Sequence, residues 1–330
     1  VCDAVTITLA NRTARKLGVR LPKYEDLGEW IGWAQRMIRD GLESVKDVGC
    51  QLFVANVRFL AKLAPTDAGH WLVENRGESG MVFLPIWGAP FVMKHLMGHR
   101  EEVPQGISLL DYQGEYLGPG VVKTLFTSAT LMGAEYIADT LGLPEGSWAY
   151  LDLPSTFPAD QRPINFAPAV QGNMNAAKIN DPLGRAPMQK AIDRVIEYYL
   201  VNGAGAGVIH AVSNKYRDFI LTESLYRGIM TLDIEAHAAR VAAKQASVLV
   251  AANVAEGWDG KGDLCRFVIL PKVPYPDLCD RRTHIRKDED QRSYDHRALV
   301  AVVQGVGRGM RYPTDHAGAW ILEPEWALLR

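Results

Sequence analysis

From residue 187 onward, short apolar runs alternate with stretches of helical periodicity, and this alternation constrains the fold more than any other feature. Residues 207–212 (GVIHAV), 228–232, 246–251, 266–270 and 318–323 read as strands. Residues 187–201, 214–226, 234–245 and 295–311 read as helices. The strands are continuous in Val, Ile and Leu rather than alternating with polar residues, so each must be buried on both faces. A parallel α/β sheet covered by helices on both sides meets that demand. In such sheets chemistry gathers at the carboxyl ends of the strands. The loops after 121–127, 207–212 and 246–251 therefore carry the search for function.

The first half has a different texture. Trp30, Trp33, Ala34, Met37, Ile38 and Leu42 recur at three- and four-residue spacing, and Phe53, Val57, Leu60 and Leu63 continue the pattern after Gly49. Residues 23–64 thus read as a helical hairpin or insertion. MVFLP (81–85) suits a buried strand, PFVMKHLMG (90–98) a short helix ended by Gly, and VVKTLFTSAT (121–130) a second strand opening into hydroxyl residues. Strand, helix, strand in that order suggests a further parallel α/β unit. Residues 154–187 hold many of the 18 prolines and are the best candidate for a segment between two lobes, 1–150 and 151–330.

Composition removes whole classes. At 330 residues, with 48% hydrophobic and 22% charged residues, the chain is neither disordered nor a coiled-coil rod. Its longest apolar runs, such as SVLVAANVA (247–255), are far too short to span a bilayer, so no membrane partner is expected. A formal net charge of −2 excludes a globally basic nucleic-acid binder, though not a local basic groove. Cys2, Cys50, Cys265 and Cys279 are scattered without a C-x-x-C pair, which argues for reduced thiols and a cytoplasmic location.

Four segments carry chemistry. The first is QGVGRGMR (304–311). It ends helix 295–311, and at 100° per residue Gln304, Arg308 and Arg311 lie within roughly 60° of one another, opposite Leu299, Val302, Val303, Val306 and Met310. Gly305, Gly307 and Gly309 each cost about 1 kcal/mol relative to Ala in a helix, so close approach of a backbone or ligand is implied. Two Arg forks beside glycine suit a phosphate whose charge grows during transfer, and a solvated cationic face is the bland alternative. The second is VLVAANVAEGWDGKGD (248–263), where Glu256, Gly257 and Asp259 follow a buried strand. These carboxylates could hold a ribose hydroxyl or pair with an Arg, or simply form a polar turn. The third is LFTSATL (125–131), which places Thr127, Ser128 and Thr130 at a strand end. The fourth is HAVSNKYRDF (210–219), with Ser213 at an N-cap position that could either cap the helix or meet a nucleic-acid phosphate.

Several look-alikes carry nothing. GAGAG (203–207) precedes its strand and reads as a turn, and DIEAH (233–237) falls in an amphipathic helix. His95 and His99 have helical ligand spacing but no third ligand nearby.

Taken in order, LFTSATL, STFPADQRPI, VIHAVSNKYRDF, VLVAANVAEGWDGKGD and QGVGRGMRYPTDHAGAWILE resemble motifs III to VI of superfamily 2 helicases. More narrowly they resemble the XPD/DinG branch, in S-A-T-L (128–131), F-P-x-x-x-R-P (157–163), E-G-x-D-x-x-G-D (256–263) and Q-x-x-G-R-x-x-R (304–311) followed by Asp315. PKVPYPD (271–277) fits the segment after motif V. The resemblance covers about residues 81–325. It implies a RecA-like parallel sheet lobe with helices on both faces at 151–330. It also implies the remainder of a first RecA-like lobe at 1–150, with a helical arch-like insertion at about 20–65.

The resemblance further implies an ATP-dependent DNA helicase that closes two lobes on ATP and Mg²⁺ and moves along single-stranded DNA. Arg308 and Arg311 would reach the γ-phosphate, Arg311 as the arginine finger, with Gln304 ordering the site. Glu256, Gly257, Asp259 and Gly307 would border the nucleotide. Thr127, Ser128 and Thr130 would couple hydrolysis to movement, and Ser213 would touch the DNA backbone.

The sequence departs from the family in two ways. It has no G-x-x-x-x-G-K-[ST] loop and no DEAH box, and it begins at Val1 without an initiator Met. The expectation is a C-terminal portion that starts just after the DEAH box and is inactive alone, with ATP and Mg²⁺ held mainly by the preceding part. The iron–sulfur cysteines of some members lie upstream of the DEAH box and so outside this sequence. Where the family has D-x-R after the last strand, Glu323 and Glu325 stand instead. The rival expectation is a non-catalytic helicase-like module that binds nucleic acid or protein.

Overall fold

A computed structural model of the chain describes residues 6–63, 70–89, 125–128, 130–252 and 258–329. The chain divides into two compact units, Val1–Tyr150 with Leu278–Asp290, and Leu151–Asp277 with Gln291–Arg330.

The second unit is built on a six-stranded sheet. Its strands are β4 (Ile164–Phe166), β5 (Ala206–His210), β6 (Met230–Thr231), β7 (Ser247–Ala251), β8 (Phe267–Leu270) and β9 (Gly318–Ile321), in the order β4-β9-β8-β5-β7-β6. Every pairing is parallel. The continuous apolar runs are explained by the two faces. Ile209, Val248, Val250, Phe267 and Ile269 pack on Met188, Ile192 and Ile196 of α6 (Pro182–Val201) and Tyr216 and Ile220 of α7 (Asn214–Glu223). On the opposite face lie Val208, Leu249, Val268 and Ala319, with Leu270 and Ile321 meeting Ala298 and Val302 of α10 (Gln291–Val306). Each Val, Leu, Ile, Phe or Met side chain among them contributes about 1.5–3 kcal/mol when fully buried, so neither face could be left to water. α8 (Ile234–Ala242) joins this second face through His237, which bonds Ser247 at 2.9 Å.

The proline-rich stretch is more than a connector. It contributes the edge strand β4 and the short helix α5 (Ala176–Asn180), and α6 starts at Pro182 rather than at 187. Proline at the first helical position forfeits no hydrogen bond, and Asp181 caps the helix by accepting from Leu183 and Gly184 N–H. DIEAH is helical as expected, with Asp233 capping α8.

The first unit holds a three-stranded antiparallel sheet, β1 (Ile7–Leu9), β3 (Met81–Pro85) and β2 (Trp71–Asn75), in the order β1-β3-β2. MVFLP is therefore a strand, but its pairing corrects the parallel unit expected around it. One face of the sheet packs on α2 (Leu27–Arg39) and α3 (Gln51–Lys62), where the Trp30 ring meets Phe83 edge-on at 5.1 Å. The other face carries Leu72, Val82, Leu84 and Ile86, and Ile285 of α9 (Arg281–Glu289) packs there. Arg286 of α9 donates to the Ile86 carbonyl and lies over the Trp87 ring at 5.5 Å.

The helix expected at 90–98 and the start of the strand expected at 121–130 lie outside the described residues. Residues 125–128 are described, and they are not a strand. α1 (Asn11–Lys16) and α4 (Ala134–Leu141) complete the helices named here. Among the described residues no helix is long and apolar enough to cross a membrane.

Candidate functional site

Within the second unit the carboxyl end of β7 and the end of α10 converge. α10 stops at Val306 and is followed by a 3-10 turn, Gly307–Gly309, so Arg308 leaves from that turn and Arg311 from irregular chain beyond it. The helical stripe expected for Gln304, Arg308 and Arg311 is thus corrected. Glycines at 305, 307 and 309 remove helix propensity where the stripe would need it, and the chain tightens instead. The buried side also differs from expectation. Ala298, Val302 and Gly305 face the core, while Leu299, Val303 and Val306 are half-buried. Gln304 is exposed on the last helical turn.

Tertiary contacts nevertheless organise the two arginines. Arg308 Nη1 donates to the Trp258 carbonyl at 3.1 Å, and Arg311 Nε donates to Asp259 Oδ1 at 2.5 Å. Consecutive residues of one loop therefore hold both guanidiniums. With side chains 37% and 53% exposed, the Arg311–Asp259 pair contributes at most about 1 kcal/mol to stability, and its effect is orientation. Trp258 anchors that loop by burying its ring with Cys265, Val268 and Leu249. Burial pushes the Cys265 thiol up to about 12, which makes it an inert core residue.

The glycines divide by role. A Cβ on Gly309 would collide with Ala317, whereas a Cβ on Gly307 would meet no atom of the described residues within 4 Å. Gly309 is thus required by close packing, and among the described residues nothing crowds Gly307. Glu256 and Gly257 lie outside the described residues.

Ser213 caps α7, its Oγ accepting from Tyr216 N–H at 3.2 Å. The residue before it, Val212, has φ 65°, a left-handed conformation that costs a β-branched residue about 1–3 kcal/mol. The turn from β5 into α7 is therefore strained where Ser213 emerges. In the first unit, Ser128 Oγ accepts from Thr130 N–H at 3.1 Å and lies 3.3 Å from Thr130 Oγ1. Thr127 is exposed beside them.

Three groups escaped sequence reasoning. His210, the last residue of β5, is 2% exposed, and burial, aided by the charge of Arg308, pulls its pKa down to about 4 against a backbone contact at Gly305. Its signal was a polar residue inside an otherwise apolar strand run. His237 is likewise buried, bonding Ser247 Oγ and the Leu264 carbonyl, each at 2.9 Å. Glu323, one of the two residues standing where the family has D-x-R, is fully buried and accepts from the N–H groups of Met174 and Val273. Burial pushes its carboxyl up while those two donors pull it back. It ties the end of β9 to two loops.

The second unit is thus an α/β lobe, a six-stranded parallel sheet with helices on both faces, as a RecA-like lobe requires. Residues 210–326 match the family model described as helicase C-terminal domain. Among solved structures, the chain is similar to one titled XPD helicase, at 14% identity and a TM-score of 0.50, covering 99% of this chain and 63% of that one. An apo XPD structure gives 14% identity, a TM-score of 0.48, and coverage of 98% and 61%. The S. tokodaii Xpd4 structure gives 11% identity, a TM-score of 0.43, and coverage of 96% and 61%. The chain thus spans a little over three-fifths of the length of these structures, 61% to 63%. No curated protein sequence matches it.

Proposed function

We propose that this chain is the C-terminal portion of an ATP-dependent helicase that couples ATP hydrolysis to translocation on single-stranded DNA and to duplex unwinding. The observation that carries the reading is the joint seating of Arg308 and Arg311 on Trp258 and Asp259. Two guanidiniums fixed by one loop are prepared for a polyanion before it arrives, so little reorganisation is needed at the moment of reaction. Asp259 engages Nε of Arg311, and the terminal Nη groups would meet the γ-phosphate as charge builds on it. Arg308 would share that charge, and Gln304 would help to order the attacking water. Asp259, Glu256, Gly257 and Gly307 would border the nucleotide, and the lack of crowding at Gly307 among the described residues suits close approach of a phosphate or ribose.

A P-loop hydroxyl and a DEAH-box carboxylate, neither of which this sequence contains, would hold Mg²⁺, which would supply charge neutralisation at the phosphates. Ser213 would contact the strand backbone, and Thr127, Ser128 and Thr130 would relay nucleotide state to strand movement.

The test is an ATPase assay of the protein that carries this chain, with and without single-stranded DNA. Arg311→Ala should lower turnover by about 10³-fold or more while nucleotide affinity stays within a few-fold. Unchanged turnover would remove the finger assignment. Absence of any DNA-stimulated hydrolysis in the unaltered protein would favour a non-catalytic module.

A further inference from the structure

Asp315 has no part in the reading above, yet its surroundings are the most fully built of any carboxylate near Arg311. It lies in a loop but is only 5% exposed. Its Oδ2 accepts from the N–H groups of Arg311 and Tyr312, each at 2.9 Å, and its Oδ1 accepts from Gly262 N–H at 3.2 Å. The Asp315 N–H returns to the Tyr312 carbonyl at 2.9 Å and closes the turn. Gly262 sits at φ 59°, where glycine alone is unstrained.

The outer side of the loop is fixed as well. Ala317 N–H donates to the Gln161 carbonyl at 3.0 Å, and with the Gln161 amide assigned so that its nitrogen faces acceptors, it donates to the carbonyls of Pro313 and Asp315 at 2.8 and 2.9 Å. Burial alone would raise the carboxyl of Asp315, but the three main-chain donors outweigh it and hold the group below its ordinary value. It therefore remains an anion and an acceptor only.

Gly262 is three residues from Asp259 on the same loop. One carboxylate thus grips both strands of chain from which the Arg311–Asp259 pair projects. A half-exposed ion pair is weak, so it orients Arg311 only once the main chain has brought its two partners within reach. We propose that Asp315 is a positioning residue for Arg311: by holding the main chain at Gly262 and at Arg311 together, it sets the separation at which Asp259 and Arg311 meet. The consequence for ATP turnover rests on the helicase reading; the consequence for Arg311 itself does not.

Asp315→Asn tests this. An Asn has one acceptor oxygen, so its NH₂ must face either Gly262 N–H or the two donors of Arg311 and Tyr312, and one anchor is lost. The direct readout is the Arg311 Nε–H resonance of the 330-residue chain, assigned by its loss in Arg311→Lys. That proton should exchange slowly in the unaltered chain and rapidly in Asp259→Asn. It should also exchange rapidly in Asp315→Asn, while the far-ultraviolet circular dichroism is retained. In the protein carrying this chain, kcat should fall on the order of ten- to a hundredfold with little change in KM for ATP.

A merely structural role would change the active fraction and the melting temperature but leave Arg311 Nε–H protected in the folded molecules. That protected proton overturns the proposal. If Asp315→Asn loses its cooperative melting transition, Asp315→Glu, which keeps the charge and lengthens the arm, is read in the same way. If the unaltered protein hydrolyses no ATP, the helicase reading fails and the Nε–H measurement alone decides the role of Asp315.

Discussion

Gly309 lies against Cys265: a Cβ on Gly309 would stand 2.9 Å from the Cys265 carbonyl oxygen, with Ala317 blocking the other side. Two residues earlier, Gly307 has no atom of the described residues within 4 Å of the same imagined position. The two glycines should therefore separate by experiment. Gly309→Ala forces the loop away from β8 and β9 and should destabilise the chain by about 1–3 kcal/mol, seen as a lower urea midpoint. Gly307→Ala should change stability by less than about 1 kcal/mol. In the protein carrying this chain it should nevertheless impair ATP turnover, because the methyl group fills the space proposed for the nucleotide. Equal loss of stability in both variants would contradict this assignment.

His210 should set part of the acid sensitivity of the second unit. Its folded pKa, about 4, lies below the ordinary value of 6.5, so the unfolded chain binds the proton first as pH falls. The contribution is complete above pH 6.5 and is lost as pH falls through about 4. At about 1.4 kcal/mol per pH unit, the full difference is of order 3 kcal/mol. Urea unfolding between pH 7 and 4 should show a steeper decline for the unaltered chain than for His210→Phe. Parallel declines would show that His210 does not titrate as described.

Arg185 is a stability residue in the second unit. Its fork pairs with Glu223, with Nε 2.9 Å from Oε2, and Nη1 reaches the carbonyls of Ile179 and Asn180 at 3.2 and 3.3 Å. The guanidinium also lies 3.9 Å above the centre of the Phe219 ring. Arg185→Met keeps the stem, leaves two carbonyls without their donor and releases Glu223 to solvent. It should cost about 1–3 kcal/mol, while Lys at this position recovers only part of that because it cannot fork. Equilibrium urea unfolding of the three proteins measures the difference. A loss under 0.5 kcal/mol would mean that solvent replaces these partners.

Much of the second unit is legible along the chain because its strands are buried on both faces. Such strands must be apolar without interruption, and β5, β7, β8 and β9 announce themselves. β4 does not. It is a three-residue edge strand with Ile164 exposed, and it lies among prolines that read locally as a linker. In the first unit the composition of β3 identifies a strand but not its partners, and antiparallel pairing with β1 and β2 depends on residues far away in sequence. The candidate site divides likewise. Gln304, Arg308 and Arg311 stand out by type and spacing, but the helix that was to align them ends at Val306. His210 and Glu323 show only as polar residues in apolar company, and their burial is not a property of their neighbours in sequence.

The order of side-chain types along the chain determined the class of fold and the ordered segments that resemble helicase motifs, because hydrophobic periodicity and local residue chemistry are written in sequence. Only the tertiary structure decided that Trp258 and Asp259 seat the two arginines and that Asp315 joins their loops. The contacts that join the two loops connect positions 50 to 53 apart, the Asp259–Arg311 pair 52. Directional hydrogen bonds of that range form only after burial of the sheet has brought the loops together, and no local propensity encodes them.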